Sequence, residues 1–288
     1  MTVERVVDAH VHLWDPARAD WYPYLAGMQE LDMGDISGMC RRFDQPTYFS
    51  EAARWNVQKF VHVAAAAPTK LVDETRELDE QAETTGHPDV LIGGLVPSDD
   101  TAEYERQLDE QLASKRFRGI RIMGEGDEAL PTPAILQALQ DRGLIFELMV
   151  HPDQLEPAAA ALDGWALPVV VEHTGWPRSN DPEEYDLWKT GMAALARLGD
   201  HVTCKLSGLA MPMQSMDAAT FAPWVHHAIE LFGADRCMFA SNFPVDGMHG
   251  TFDDLYGTYD ELTADLDGST RDKLFAGNAE RIYGCERP

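Results

Sequence analysis

Two histidines one residue apart, His10 and His12 in the segment "DAHVHLWDP" (8–16), are the first residues of the chain that could do chemistry. Their imidazoles titrate near physiological pH, so they can exchange protons, and in the neutral form they bind metals. If the segment is a β-strand, the alternation of side chains places Asp8, His10 and His12 on one face. Buried polar groups need partners, so such a face is expected to line a site. The spacing alone does not separate a catalytic pair from two core histidines with satisfied hydrogen bonds.

Eight apolar, β-branched runs, separated by segments with helical periodicity, organise the chain around this motif. Near-continuous apolar strands that alternate with helices are typical of a parallel sheet covered on both faces. Eight such units in 288 residues favour a barrel over a doubly wound sheet, and no Gly-rich dinucleotide fingerprint follows the first run. We therefore predict an α/β chain that forms one (β/α)8 TIM-type barrel domain over residues 1–288. The runs are 6–14, 59–66, 90–97, 117–123, 144–151, 168–175, 201–210 and 236–245.

One predicted connection, residues 15–55 between the first two strands, is much longer than the others. Long loops inside a compact domain are usually functional or disordered, and a high aromatic content argues against disorder. We expect this segment to form a lid or a wall of the pocket, with a packed structural excursion as the alternative. Its aromatic residues are Trp21, Tyr22, Tyr24, Phe43, Tyr48 and Phe49.

The composition excludes several classes of partner. With 49 acidic against 23 basic residues the formal net charge is −26, whereas binding to nucleic acid needs clustered lysine and arginine. No apolar run approaches the roughly 18 residues of a membrane span, and the N-terminus lacks the apolar region of a secretory signal. The four cysteines are widely spaced, which predicts neither a disulfide framework nor a zinc finger. We expect a cytoplasmic protein with a small-molecule substrate and no nucleic-acid or membrane partner; whether it forms a homo-oligomer stays open.

The barrel prediction locates the candidate site, because catalytic groups of such barrels lie at the C-terminal ends of the strands. Polar residues follow or end seven of the eight predicted strands. Several histidines at these positions favour a shared site over separate core residues, because the strand ends all meet at one rim. The candidates are His10, His12, His62, Arg121, His151, His173, Lys205, Ser207 and Asn242.

The motifs at these strand ends resemble those of the amidohydrolase superfamily. The H-x-H pair, "VHP" after the fifth strand, "EHTG" after the sixth, "KLSGL" on the seventh and "FASNFPVD" on the eighth carry the resemblance, together with the closing "LFAGNAERIYG". The sequence is most similar to the lactonase-like branch (amidohydrolase 2 type), which includes 2-pyrone-4,6-dicarboxylate lactonase, sulfomuconolactone hydrolase and sugar-acid lactonases. The resemblance covers nearly the whole chain.

The resemblance implies roles for three histidines. His10 and His12 match a pair that holds a divalent metal in many members and contacts substrate in metal-independent lactonases. His173 matches a histidine that binds or polarises the scissile carbonyl. The cofactor expectation is therefore either none or a divalent metal, with zinc as the first candidate and His10, His12 and His173 as its ligands.

Four further residues are expected to contact substrate. Arg121 occupies a position where related lactonases bind a substrate carboxylate, which a guanidinium grips bidentately; an ordinary ion pair is the alternative. Lys205 matches a recurrent lysine, either a second anion contact or a structural partner of a neighbouring carboxylate. His151 and Trp176, which follow the fifth and sixth strands, complete the set.

Asn242 departs from the family pattern, in which an aspartate at this position serves as general base or metal ligand. An amide cannot accept a proton near neutral pH, although it can orient a water molecule. A metal could also generate hydroxide without a strong base. The protein base is otherwise expected among His10, His12, His151, His173 and Asp246.

We therefore predict a hydrolase of small-molecule catabolism that opens a lactone of an acidic or sugar-derived metabolite. In this prediction His10, His12, His173 and Asn242 are the catalytic residues. A metal-dependent decarboxylase or hydratase of an unsaturated acid and a non-catalytic small-molecule-binding barrel are the alternatives, because a fold alone does not specify an activity.

Overall fold

Eight parallel strands form the centre of the molecule, and each pairs with the next along the chain. The computed structural model describes residues 3–26, 30–31, 34–98, 100–124 and 126–285. Each of the eight predicted runs overlaps one strand, so the (β/α)8 prediction is confirmed. The strands are β1 (Val6–Val11), β2 (Val57–Val63), β3 (Val90–Leu95), β4 (Phe117–Ile122), β5 (Ile145–Leu148), β6 (Val169–Val171), β7 (Val202–Leu206) and β8 (Cys237–Phe239).

Helices cover the outside of the sheet and alternate with the strands. A π-helical turn, Lys273–Gly277, joins the last two helices. Within the described ranges, no helix combines the length and the hydropathy that a membrane span requires. The helices are α1 (Gln45–Glu51), α2 (Leu71–Thr85), α3 (Thr101–Gln111), α4 (Pro133–Asp141), α5 (Pro152–Leu162), α6 (Pro182–Ala196), α7 (Ala210–Met213), α8 (Ala218–Phe232), α9 (Phe252–Leu262), α10 (Gly268–Asp272) and α11 (Asn278–Tyr283).

Two hydrophobic clusters follow from the alternation of side chains along the strands. A large cluster lies between the strands and the helices. A smaller one is built from alternate strand residues and fills the barrel interior, as interior layers do in this fold. Its members on the strands, or directly after one in the case of Ala240, are Val7, Ala9, Val61, Val63, Val90, Ile92, Ile145, Val170, Met238 and Ala240, and Ala276, Ala279 and Tyr283 join them from the C-terminal region.

The segment after β8, rather than β8 itself, completes the barrel against β1. The backbone N–H of Asn242 donates to the His10 carbonyl at 2.9 Å, and the N–H of His12 donates to the Phe243 carbonyl at 2.8 Å. Val11 forms a parallel bridge with Phe243. This closure places Asn242 directly beside the H-x-H pair.

The first strand breaks the strict alternation that the sequence suggested. Its register against β2 shifts between Asp8 and Val11, as at a β-bulge. The Asp8 carboxylate accepts hydrogen bonds from the Tyr48 hydroxyl at 2.9 Å and from the Ser241 N–H at 2.8 Å. The prediction that Asp8 shares a face with the two histidines is therefore wrong. Asp8 instead ties α1 and the segment after β8 to β1, and burial raises its pKa to about 6.

The long aromatic connection packs onto the ends of β1 and β2. Trp14 and Phe43 exchange backbone hydrogen bonds at 2.9 Å each, and the Tyr24 hydroxyl donates to the Ala65 carbonyl at 2.8 Å. The Trp14 ring stacks on His12 with 5.6 Å between centroids. Residues 27–29 and 32–33 of the connection lie outside the described residues. The function of the segment as a lid or pocket wall stays a prediction.

Candidate active site

Three histidines from β1 and the end of β6 meet at the barrel mouth. The ring centroids of His10 and His12 lie 4.8 Å apart, and those of His10 and His173 lie 4.5 Å apart. The Nε2 atoms of His10 and His12 approach to 3.1 Å. All three side chains are buried. The structure thus brings together three of the five histidines that were candidates at the strand ends.

The segment "KLSGL" shapes the surroundings of His173. Ser207 Oγ lies 3.2 Å from Nδ1 of His173 and orients its ring. Gly208 has a φ of +69°, and a Cβ atom there would lie only 2.6 Å from Cβ of His173. Glycine at this position therefore allows both the left-handed backbone and the close approach of the imidazole.

Glu172 and its sequence neighbour His173 both face the site, whereas neighbouring residues of a strand point to opposite faces. The Glu172 carboxylate lies 3.4 Å from Arg121 Nη1 and 3.5 Å from His173 Nε2. Burial would raise the pKa of Glu172, but the charge of Arg121 and of the other nearby cations outweighs this effect and lowers it. Sequence reasoning missed Glu172. The ion pair indicates an ionised carboxylate at the centre of the barrel mouth.

Arg121 is largely engaged within the protein. Besides Glu172, it donates through Nη2 to the backbone carbonyl of Ala64. Among the described residues, its Nε finds no hydrogen-bond partner. Arg121 thus lies in the site with part of its donor capacity unused, and its role in binding substrate stays a prediction.

Lys205 lies beneath the histidines in a fully buried ion pair. Its Nζ is 2.5 Å from Glu147 Oε2 and 3.3 Å from His10 Nδ1. The Tyr283 hydroxyl donates to the other oxygen of Glu147 at 2.6 Å. Burial and the nearby Glu172 raise the pKa of Glu147, although Lys205 opposes this shift. The structure thus gives Lys205 a carboxylate partner, which is one of the two roles expected from the sequence.

The three imidazoles are neutral at physiological pH. Burial lowers the pKa of His10 and of His12 well below the usual value, and nearby cations add to the effect. Burial and the charge of Arg121 also lower the pKa of His173 to about 4, against the opposing effect of Glu172. A neutral imidazole has one nitrogen with a free lone pair and one N–H. It can therefore accept a proton at one nitrogen and donate a hydrogen bond from the other.

His151 and Trp176 form a stacked pair beside this cluster. Their rings are 4.2 Å apart at an interplanar angle of 26°, and His151 Nδ1 lies 2.9 Å from the Trp176 carbonyl. The Trp176 ring lies 6.1 Å from that of His173. The pair is placed where it could form a side wall of the site, and contact with substrate stays a prediction.

His62, the remaining strand-end histidine, lies behind His12. Its Nδ1 accepts from the Leu13 N–H at 3.3 Å, and its Nε2 is 3.7 Å from the Glu74 carboxylate of α2. Glu74 also accepts from the Ala65 N–H and the Tyr22 hydroxyl. These contacts connect β2, α2 and the long aromatic connection.

Asn242 and Asp246 form a buried pair, and Asp246 folds back onto the strand end. The Asn242 side-chain amide donates to Asp246 Oδ1 at 3.0 Å. This contact turns the carbonyl oxygen of the amide away from Asp246. Asn242 has a φ of +54°, a conformation that asparagine, aspartate and glycine tolerate better than other residues.

The family of the chain follows from its sequence as well as from this geometry. A family model described as Amidohydrolase matches residues 7–285. The chain belongs to the amidohydrolase family. An L-fucono-1,5-lactonase from Burkholderia ambifaria is 30% identical over 299 residues, covering 98% of this chain and 96% of its own. An uncharacterized protein of Sinorhizobium fredii is also 30% identical, over 96% of this chain and 98% of its own.

A solved structure supports the fold of this amidohydrolase. The crystal structure of an amidohydrolase from Burkholderia multivorans with bound zinc matches with a TM-score of 0.79 at 23% identity. The match covers 97% of this chain and 99% of that one.

Three side chains of this amidohydrolase could offer ligands to a divalent metal. The ligand atoms of His10, Glu172 and His173 all lie within 4.8 Å of one another. Two histidines and a glutamate are a donor set that catalytic zinc sites use. Glu172 stands in this set where the sequence analysis expected His12.

The surroundings of His10 do not fit this role. A histidine that binds a metal through one nitrogen normally donates from the other nitrogen to an oxygen acceptor. Nδ1 of His10 instead faces Lys205, an ammonium donor, at 3.3 Å, and Glu172 shares its charge with Arg121. The three residues are of the right type to bind a metal, but His10 faces a hydrogen-bond donor where a metal ligand needs an acceptor. The chemistry below is therefore derived from the side chains alone.

The buried Asp246 predicts a pH-dependent stability. Burial raises the pKa of Asp246 to about 7, against about 4 for an unfolded aspartate. Between these values the folded state binds more protons than the unfolded state, so the free energy of unfolding falls as pH rises through this window. The free energy of unfolding of Asp246→Asn, measured with urea, should rise relative to that of the wild type by a few kcal/mol from pH 4 to pH 8. An exposed control, Asp265→Asn, is expected to track the wild type, and a pH-independent difference for Asp246→Asn would contradict the assignment.

Proposed function

We propose that this amidohydrolase hydrolyses the ring ester of a neutral, sugar-derived lactone. The observation that carries the proposal is the cluster of three neutral imidazoles at the barrel mouth, beside the paired Arg121 and Glu172. Such a cluster can both take a proton from water and donate to a carbonyl oxygen. The similarity to an L-fucono-1,5-lactonase over nearly the full length of both chains supports the lactone as substrate.

His12 is the general base in this proposal. Its Nδ1 lies 2.8 Å from the Val63 carbonyl, which only accepts, so Nδ1 carries the proton and Nε2 keeps the lone pair. Water near the Asn242 amide loses a proton to this nitrogen while its oxygen bonds to the lactone carbonyl carbon. The ring C–O bond then breaks, and the alkoxide leaving group receives the proton from His12 to give the hydroxy acid.

His10 and His173 stabilise the charge that develops on the carbonyl oxygen. N–H donors directed at an oxyanion in a dry site are among the strongest contributions to such reactions. Both rings are buried and neutral, so they can donate without carrying a full charge into the site.

The pairing of Arg121 supports a neutral substrate over a dicarboxylate. Glu172 already balances the guanidinium charge, and the Ala64 carbonyl accepts from it as well. A substrate carboxylate would have to share Arg121 with Glu172 and would be repelled by that carboxylate. Hydroxyl groups of a sugar lactone can instead use the remaining donor and the Glu172 oxygens.

The experiment is a substrate panel of L-fucono-1,5-lactone, other six-membered aldonolactones and 2-pyrone-4,6-dicarboxylate, followed by proton release with a pH indicator. We expect turnover of the aldonolactones, with the same rate for chelator-treated and zinc-supplemented protein. Turnover of the dicarboxylate alone would assign Arg121 to a substrate carboxylate. If no lactone is hydrolysed above the spontaneous rate, the proposal is wrong, and release of CO2 from unsaturated acids tests the decarboxylase alternative.

Exchanging Asn242 and Asp246 tests what the asparagine does. Asn242→Asp alone places two carboxyls about 3 Å apart, where one would hold a proton, since like charges in contact raise a pKa. The double variant Asn242→Asp/Asp246→Asn keeps one amide and one carboxylate and moves the carboxylate to the strand end. We expect it to be roughly 100-fold more active than the single variant on the best lactone, the low end of a general-base effect. Equal activity of the two variants would show that residue 242 only orients water.

A further inference from the structure

Three connected polar side chains lead to His10, and all three are buried at 1% exposure or less: Lys205, Glu147 and Tyr283. They form one continuous arrangement: Tyr283 donates to Glu147, Glu147 pairs with Lys205, and Lys205 reaches His10 Nδ1. Tyr283 belongs to α11, at the other end of the sequence from His10. The proposed reaction mechanism uses none of these three groups directly.

The direction of the hydrogen bonds determines which nitrogen of His10 carries a proton. An ammonium has three donors and no acceptor, so Lys205 can bond to Nδ1 only if that nitrogen has a free lone pair. The imidazole proton is then on Nε2, which lies 3.1 Å from Nε2 of His12. His12 accepts there and donates from Nδ1 to Val63. With these tautomers, each of the three contacts from Lys205 through His10 and His12 to Val63 has one donor and one acceptor. With both imidazole protons on the other nitrogens, the Lys205 ammonium would face an N–H of His10, and the Val63 carbonyl would face a lone pair of His12.

We infer that Lys205, Glu147 and Tyr283 are positioning residues that hold His10 as its Nε2–H tautomer. Without substrate this N–H donates to Nε2 of His12; when the lactone binds, it donates to the substrate carbonyl instead and leaves the His12 lone pair to the attacking water. Glu147 keeps the lysine in place, and Tyr283 keeps Glu147 in place. The use of the donated hydrogen bond rests on the proposed lactone hydrolysis, but the tautomer itself does not. This arrangement also explains why the polarity around His10 does not suit a metal ligand.

The test is the nitrogen NMR spectrum of protein labelled with ¹⁵N in histidine, in which an unprotonated imidazole nitrogen resonates far downfield of a protonated one. His10 is assigned by the signal that His10→Asn removes. We expect the wild type to show His10 with an unprotonated Nδ1 and a protonated Nε2. A protonated Nδ1 in the wild type would overturn the inference.

The matched variant is Lys205→Met/Glu147→Leu, which removes both charges together so that neither is left buried without its partner. We expect His10 to lose its single tautomer and kcat on the best lactone to fall about 10- to 100-fold, the same range as the loss of a partner that orients a histidine in metal sites. KM should change far less, because the lost interaction acts in the transition state. An unchanged His10 spectrum in this variant would overturn the inference.

Tyr283→Phe provides a milder variant that keeps the lysine and its carboxylate. We expect the same tautomer with a severalfold lower kcat and an unchanged KM; a change in KM alone would contradict a positioning role. If the wild type shows the Nε2–H tautomer but hydrolyses no lactone, the inference stands and the proposed function fails.

Discussion

Replacing His12 with asparagine is expected to lower kcat on the best lactone by about 10²- to 10⁴-fold, the contribution of a general base. Asparagine can still donate to the Val63 carbonyl from near the position of Nδ1, but it offers no base at the position of Nε2. Substrate contacts made by other residues remain, so KM is expected to change little. Steady-state kinetics by proton release measure both constants.

His226→Asn is the matched control, because His226 is exposed on α8 and bonds only to the Leu262 carbonyl among the contacts that the structure gives it. Its kinetics should equal those of the wild type. The lowered pKa of His12 adds a second expectation: the base form is present throughout the neutral range, so kcat should stay constant from pH 6 to pH 8 and fall only in more acidic solution. A kcat that halves near pH 6.5, or a His12→Asn variant with near-normal kcat, would assign the base elsewhere.

Replacing Glu172 with glutamine is expected to lower the free energy of unfolding by about 3–5 kcal/mol, because it leaves a buried arginine without its counter-charge. The Glu172 side chain is 0% exposed and that of Arg121 only 9%. Activity should fall as well, since His173 loses its charged neighbour at 3.5 Å. Urea unfolding and lactone turnover measure the two effects.

The double variant Glu172→Gln/Arg121→Met separates charge from packing. Because it removes the unpaired cation, we expect most of the lost stability to return while activity stays low. Glu103→Gln, which breaks an exposed ion pair with Arg106 on α3, should leave unfolding almost unchanged, as surface pairs do. Equal stability of Glu172→Gln and the wild type would show that Arg121 finds another partner or solvent.

The barrel and the histidine cluster could be predicted from the sequence, because both follow from the regular alternation of apolar strands and helices. Apolar runs identified each strand, and the rule that strand ends share one rim placed His10 and His173 together. The position of Asn242 directly beside the H-x-H pair comes from the structure, through the closure of the barrel after β8.

The positions of Glu172 and Glu147 in the site could not be predicted from this alternation. Alternation would direct Glu172 and His173 to opposite faces, but β6 ends at Val171 and His173 takes a φ of +52°, so both side chains face the site. Glu147 lies within a buried strand and obtains Tyr283 as a partner from 136 residues away, a distance over which no local pattern carries information. The one signal was a carboxylate inside the apolar run 144–151.

The closure of the barrel between β1 and the segment after β8 also affects how easily the backbone opens locally at the site. Two backbone hydrogen bonds join this seam, one to His10 and one from His12, so the catalytic pair lies where the sheet is held by loop residues rather than by a full strand ladder. Segments with few ladder bonds open locally at a lower free energy than the strands of the core. Amide hydrogens of His12 and Asn242 should thus exchange with deuterium before those of β5 to β7, and a ligand that bridges the seam should slow them first.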